Sequence, residues 1–288
     1  MSLRVSVCLQ PHRGVMQGTN RRAFLVGESL RNVWAECSRH NRDEALPADV
    51  DLIVQTGFAP TVALTDAISR RIPYILAECP VFRHDPEINY NNWVSWGYNG
   101  LCGTAFHPPA PSEELWKPEL LPAKTEGPTI IFAQKPNDRS LRGHDHSAWI
   151  VDKLEEYPDA EFRPHPLMTT AQQEPIVDAL DRCHRAITYS STAGAEALLR
   201  GCISLPEHPG SWGYNVYDRE EWLHERSWHG FPDQQFLGDE RIGKYILSGY
   251  NNARERAKAG LVEMPRPKIV TNMHRYITDD PRVTETMK

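Results

Sequence analysis

Short apolar runs alternate with amphipathic stretches from one end of this chain to the other, and their spacing predicts the elements. Arg4–Leu9 alternates as a half-buried strand does, and Arg21–Cys37 sets Val26, Leu30, Val33, Trp34 and Cys37 at helical spacing on one face. Leu52–Gln55 is a buried strand, Thr61–Arg70 a helix and Tyr74–Ala77 another buried strand. Strand, helix, strand, helix, strand within 77 residues predicts a parallel sheet with crossover helices. Residues 78–111 break this rhythm with a long polar and aromatic stretch of the kind usually kept for function.

The alternation then restarts. Thr129–Ala133, Glu161–Arg163, Ala186–Tyr189 and Cys202–Leu205 read as strands. Ser147–Glu156, Glu174–Arg182 and Thr192–Arg200 read as the helices between them, and further helices are expected near Arg219–Glu225 and Glu240–Ala259. Six prolines fall between His107 and Pro128, so the link between two βαβ series belongs there. The predicted organisation is an N-terminal domain over 1–110, a Pro-rich linker over 111–128, a C-terminal domain over 129–270 and a loose tail over 271–288. The fold class is α/β, with two Rossmann-like parallel-sheet domains facing a cleft, where open sheets of this kind take ligands at their C-terminal strand ends.

A length of 288 residues accommodates two such domains. The chain is 40% hydrophobic and 24% charged, an ordinary globular balance. No apolar run approaches the roughly 20 residues that span a bilayer, and the N-terminus lacks a signal-peptide core. The six cysteines are scattered without a Cys-x-x-Cys pair. These features predict a soluble cytoplasmic protein with reduced thiols and no membrane partner; none of them assigns an oligomeric state.

Net charge is −6, which excludes non-specific coating of nucleic acid. The distribution is uneven, however: residues 1–42 hold seven arginines against Glu28 and Glu36. Either a basic face for phosphate or ordinary solvated helix surface accounts for them.

Three segments carry candidate chemistry. In Tyr189–Gly201, an apolar strand runs through Ser190, Ser191 and Thr192 into Gly194 and Glu196. Small residues and hydroxyls at a helix start make a phosphate cradle, with Glu196 placed to accept from ribose hydroxyls; the same pattern also suits a plain Ser/Thr cap. Phe162–Pro166 sets Arg163 and His165 at the end of a strand, His165 held between two prolines. Gln134–Gly143 brings Lys135, Arg139 and Arg142 to the same sheet edge. No tightly bound metal or cofactor is expected. Asp49-Val50-Asp51 precedes its strand and lies at the wrong edge, and His144 and His146 do not share a helix face.

The Arg-x-His-Pro element, with the Ser-Ser-Thr…Glu-Ala-Leu…Gly element, resembles the donor domain of GT-B glycosyltransferases, in particular capsule-type sugar transferases and bacteriophage DNA-modifying glycosyltransferases. Gln134–Gly143 with Asp145, Ser147 and Trp149, and Trp96–Leu101, are similar to the phage branch. The resemblance implies a nucleotide sugar as co-substrate. It places Arg163, His165, Ser190, Ser191, Thr192, Gly194 and Glu196 at the donor, joined there by Lys135 and Arg142. It implies a hydroxyl acceptor, first among them a 5-hydroxymethylpyrimidine in phage DNA, which would put the protein in the host cytoplasm. Arg13, Trp96, Tyr98 and Asn99 are the expected acceptor contacts. Asp85 is the expected general base, with Glu78 and His84 as substitutes, and His165 is a second catalytic candidate. A surface glycan as acceptor, a sugar-nucleotide epimerase or hydrolase, and a binding module without turnover are the competing readings.

Overall fold

The computed structural model describes residues 2–83, 92–265, 276 and 279–287. The chain forms two compact units. One comprises 1–81, 88–116 and 224–267; the other 82–87, 117–223 and 268–288.

The first unit opens with β1 (Arg4–Leu9), α1 (Gly18–Arg31), β2 (Glu36–Asn41), β3 (Leu52–Thr56), α2 (Val62–Ser69), β4 (Tyr74–Glu78) and β5 (Trp93–Tyr98). Alternation on β1 turns Val5, Val7 and Leu9 toward α1, where Ala23, Leu25, Val26 and Leu30 complete one core. Helix and strand approach so closely at Gly27 that a Cβ there would lie 2.5 Å from the Val7 side chain. The expected helix over 21–37 ends early. Its last residue is Arg31, Trp34 turns back at φ 76°, and Cys37 belongs to β2. Trp34 is 89% exposed rather than on the buried face. On the other side of the sheet α2 is capped by Thr61, whose Oγ1 accepts from Leu64 N.

The second unit holds β6 (Thr129–Phe132), α3 (His146–Glu156), β7 (Glu161–Arg163), α4 (Ile176–Arg182), β8 (Arg185–Thr188), α5 (Ala193–Leu199) and β9 (Ile203–Pro206). Its sheet runs β7-β6-β8-β9, every pair parallel. Ile131, Phe162 and Ile187 pack on α3 residues Trp149, Ile150 and Leu154. Ile130, Phe132 and Ala186 pack on Ala179 and Leu180 of α4 and Ala193 and Ala197 of α5. The unit is thus a helix–sheet–helix sandwich.

Within α6 (Arg219–Ser227) the chain passes to the first unit at residue 224. There β10 (Gly230–Pro232), α7 (Asp233–Gly238), α8 (Glu240–Ser248) and α9 (Tyr250–Lys258) complete that fold. The first sheet therefore runs β10-β5-β4-β3-β1-β2: four parallel strands extended by the antiparallel pair β5 and β10. Phe231, Phe236, Ile242, Tyr245 and Ile246 join the same core as α1. This corrects the expected C-terminal domain over 129–270, because 224–267 packs with the N-terminal unit. The helix expected over Glu240–Ala259 is two helices, broken at Gly249, which packs against Pro108 and Tyr98.

The tail expected to be loose holds α10 (Pro281–Thr286), capped by Asp280. Val283 is buried, and Arg282 donates to the carbonyls of Leu154 and Pro158 at 3.1 Å each. Both units are Rossmann-like α/β sheets. Among the described residues no helix is long and apolar enough to cross a membrane.

Candidate functional site

Four loops leave the C-terminal strand ends of the second sheet. The loop after β6 turns on Asp138, whose carboxylate accepts from Ser140 N and Ser140 Oγ. Gln134 then ties that loop to the one after β8: its amide donates to Ser140 Oγ at 2.8 Å and its carbonyl accepts from Ser190 N at 2.9 Å. Ser190 Oγ donates to Ser140 O at 2.9 Å. Ser190 is buried within this network, where it braces the two loops.

The helix start expected to cradle phosphate is also differently used. Ala193 N donates to Ser191 Oγ, Gly194 N to Ser191 O, and Ala195 N and Glu196 N to Thr192 O. With these donors satisfied inside the chain, α5 offers no open ring of N–H groups. Ser191 is the capping hydroxyl, and Thr192 makes no cap with its own. Gly194 serves close packing, since a Cβ there would meet the hydroxyls of Thr188, Ser204 and Ser211 at 3.1–3.4 Å. Glu196, 1% exposed, accepts from the backbone N–H of Arg83 rather than standing open for a ribose. Arg163 donates to Glu174 O at 2.7 Å, on the flank of α4.

The groups that do converge are cationic side chains and a histidine. His165 Nδ1 accepts from Leu167 N at 3.1 Å, which leaves Nε2 to carry the proton of the neutral ring. Its backbone N–H donates to Tyr276 Oη at 2.9 Å. Burial lowers the His165 pKa, and the neighbouring charges of Lys135 and Arg83 lower it further against the opposing pull of Asp138. Lys135, Arg83 and His165 therefore come from three separate segments to one electrostatic neighbourhood. Arg142, on the same loop as Lys135, adds a third cation. It sits in a left-handed turn at φ 53°, donates to Ser140 O at 2.8 Å, and lies against Gly210. A Cβ at Gly210 would fall 2.3–2.6 Å from its guanidinium. Next to it His208 Nδ1 accepts from Gly210 N at 2.8 Å.

An aromatic wall stands beside this cluster. His144 stacks on Tyr189 with centroids 4.4 Å apart, and His208 lies 5.3 Å from the same ring. Buried His146 accepts from Gln134 N through Nε2 and stacks on Trp149, and burial pushes its pKa down to about 3. It is a scaffold residue. Among the described residues no three His, Cys, Asp or Glu side chains converge as metal ligands.

Sequence reasoning missed Arg83, Ser140, His208, Gly210 and Tyr276. The turn signal Pro209-Gly210-Ser211 after a predicted strand marked one of these loops; Arg83 and Tyr276 lie in polar stretches without periodicity.

In the first unit the expected acceptor contacts separate. Arg13 is exposed in the turn after β1, its guanidinium beside Gly18. Trp96, Tyr98 and Asn99 are instead core residues of β5 and its end, each under 5% exposed. Tyr98 Oη donates to Ile246 O at 2.8 Å, and Asn99 bridges Ala253 O and Tyr74 N. Their alternation is a strand's, hidden inside a polar stretch. The basic N-terminal segment is largely compensated: Arg4 pairs with Asp49, Arg21 with Asp233, Arg31 with Glu28 and Arg42 with Asp43. Glu78, at the end of β4, accepts from the Cys102 thiol at 3.3 Å. Asp85 and His84 lie outside the described residues.

No protein-family model and no curated protein matches the chain. Among solved structures, the β-Kdo 2,4 transferase of KpsC from Thermosulfurimonas dismutans aligns with 88% of this chain and 98% of its own, at 15% identity and a TM-score of 0.49. The β-Kdo 2,7 transferase of the same KpsC aligns with 85% and 99%, at 10% identity and 0.44. The glycosyltransferase SnogD from Streptomyces nogalater aligns with 92% and 96%, at 12% identity and 0.23.

Proposed function

We propose that this chain is a glycosyltransferase that binds a nucleotide sugar at the strand ends of its second unit and passes the sugar to a hydroxyl acceptor. The observation that carries the reading is the cluster of Lys135, Arg83, Arg142 and a neutral, tautomer-fixed His165 at those strand ends. Such a cluster suits a diphosphate, and the Arg-x-His-Pro and Ser-Ser-Thr elements resemble those of GT-B sugar transferases.

The phosphates are held by side chains rather than by the start of α5. As the glycosidic bond to the donor breaks, negative charge grows on the departing phosphate. Lys135, Arg83 and Arg142 stabilise that charge from fixed positions, and His165 donates from Nε2. The network of Gln134, Ser140 and Ser190 keeps two of the loops rigid, so little reorganisation accompanies the step. A carboxylate takes the acceptor proton, and Asp85 is assigned that role.

The acceptor is a hydroxyl of a surface glycan or the hydroxymethyl of a modified pyrimidine in DNA. Compensation of Arg4, Arg21, Arg31 and Arg42 by carboxylates removes the charge argument for DNA and makes the glycan the first acceptor to test. The experiment incubates the protein with labelled sugar nucleotides and either a glycan or hydroxymethylated DNA. Label on either acceptor, lost in Asp85→Asn with donor binding intact, supports the reading. Donor conversion without any acceptor, or binding without turnover, overturns it.

A further inference from the structure

The second sheet ends in two copies of one turn. Each of its edge strands, β7 and β9, is followed two residues later by a His-Pro pair, His165-Pro166 after Arg163 and His208-Pro209 after Pro206. In both copies the ring Nδ1 accepts from the backbone N–H two residues on, Leu167 N at 3.1 Å and Gly210 N at 2.8 Å. In both, the histidine carbonyl accepts from the N–H after that, Met168 N at 2.7 Å and Ser211 N at 2.9 Å. The neutral ring of His208 therefore carries its proton on Nε2, as that of His165 does. The proposed transfer uses His165 and leaves its counterpart without a role.

Closing the turn does not by itself account for a histidine at 208. Such a turn needs one side-chain acceptor, which the shorter Asn, Asp and Ser supply; histidine adds a second nitrogen that bears a proton. The surroundings of His208 match that proton to a ligand. Its ring is partly exposed, so a ligand atom can reach it. Gly210, which donates to its Nδ1, also lies against the Arg142 guanidinium, so closely that a Cβ there would collide with it. A guanidinium and an Nε2–H are donors without acceptors, so this corner fits a ligand that only accepts, as a phosphate oxygen does. The adjacent carboxylate, Glu207, accepts from Trp149 Nε1 and pairs with Lys153, which balances its charge.

We infer that His208 is a second histidine of the donor site, its Nε2–H donating to a phosphate oxygen beside Arg142. The inference rests on the transferase reading for the carrier of that phosphate, a nucleotide sugar; the anion contact itself needs no turnover.

The test titrates inorganic pyrophosphate into the full-length protein, follows the histidine ring resonances by NMR, and compares His208→Asn with His208→Gln. Asn keeps an acceptor for Gly210 N and loses the Nε2 donor. Gln places its amide near the Nε2 position and loses the acceptor beside the backbone. The expected result is a saturable shift of the His208 ring. Binding about tenfold weaker is expected in His208→Asn at an unchanged melting temperature. In His208→Gln affinity returns to within about threefold of the original although the melting temperature falls. A residue that only closes the turn gives the opposite order. A His208 ring unmoved by pyrophosphate, full affinity in His208→Asn, or a loss in His208→Gln as large as in His208→Asn overturns the inference. Pyrophosphate bound through His208 without sugar transfer overturns the transferase reading and leaves this contact standing. Transfer that is unchanged in His208→Asn does the reverse.

Discussion

In the first unit His107 and His229 stack face to face with centroids 3.6 Å apart, His107 Nε2 donating to Trp96 O and His229 Nδ1 accepting from Arg226. In the second unit His165 stands half-buried at the end of β7, with one nitrogen fixed by Leu167 N. All three rings are held neutral, but for different ends. Enclosure does so for the first pair: burial pushes His107 down to about 3 and His229 well below its usual value. For His165, partial burial acts together with the nearby charges of Lys135 and Arg83, which an incoming phosphate would neutralise. A scaffold histidine is one whose partners belong to the chain; a site histidine has its tautomer set by the chain and its charge left to the ligand.

The largest expected effect comes from removing the cations around His165. Arg142→Ala is expected to lower sugar transfer about 100-fold, the scale of losing one preorganised donor to developing charge. Gly210→Ala, which touches no ligand directly, is expected to come close to it, because its new Cβ occupies the place of the Arg142 guanidinium. Steady-state transfer rates with a labelled sugar nucleotide check both. A Gly210→Ala protein with full activity would show that Arg142 acts from another position.

Acid separates the two kinds of histidine next. A folded-state pKa near 3 against about 6.5 in the unfolded chain means that the unfolded state binds more protons between those values. Stability therefore falls as pH drops below about 6.5 and continues to fall toward 3. For His107 the loss at pH 5 is about 2 kcal/mol, with His229 acting in the same direction. Denaturant midpoints across pH 7 to 5, followed by the fluorescence of buried Trp96 and Trp228, are expected to drop, and to drop less in His107→Gln. His165 behaves oppositely in one respect: a bound nucleoside diphosphate is expected to raise its pKa, visible as a shifted imidazole titration by NMR.

A smaller effect distinguishes brace from contact at the same strand ends. Ser190→Ala removes the bond to Ser140 O and is expected to cost about 1 kcal/mol of stability, with donor affinity nearly unchanged. Thermal melts together with nucleotide-sugar binding check it. A large loss of affinity at unchanged stability would return Ser190 to the ligand, as its motif alone implies.

Legibility in the sequence followed burial. The central strands of the second sheet, β6 and β8, are short apolar runs buried along most of their length, and β6, β7, β8 and β9 all lie where the chain pattern predicts strands. Motif position was readable too: Lys135, Arg142 and His165 sit at the strand ends expected of them. Direction was not. Whether Ser190 or Glu196 faces ligand or chain depends on Gln134 and Arg83, distant in sequence. β5 was hidden because its apolar face, Val94, Trp96 and Tyr98, is interleaved with Ser95 and Gly97 within a polar stretch. The first unit's C-terminal helices were assigned to the wrong domain because amphipathicity says that a face is buried but not against what.

The end of α1 shows the same limit at one residue. Helical spacing runs on through Trp34 and Cys37, yet the helix stops at Arg31 and the chain reverses with Trp34 at φ 76°. β2, polar throughout as an edge strand, carries no apolar signal to mark its start. What stops the helix is a left-handed cap at Trp34, with Ala35 N returning to Leu30 O and Trp34 N to Arg31 O, after which Glu36 N bonds Leu3 O and joins the segment to β1. Trp34 thus occupies a conformation that costs a side chain roughly 1–2 kcal/mol while burying almost nothing. Trp34→Gly removes that strain and adds about 0.5–1 kcal/mol of unfolded-state entropy to overcome. The net expectation is a gain of about 0.5 kcal/mol, read as a slightly raised denaturant midpoint. A fall in stability would mean that the indole packs in solution, and that the apolar spacing through residue 34 had reported a real contact.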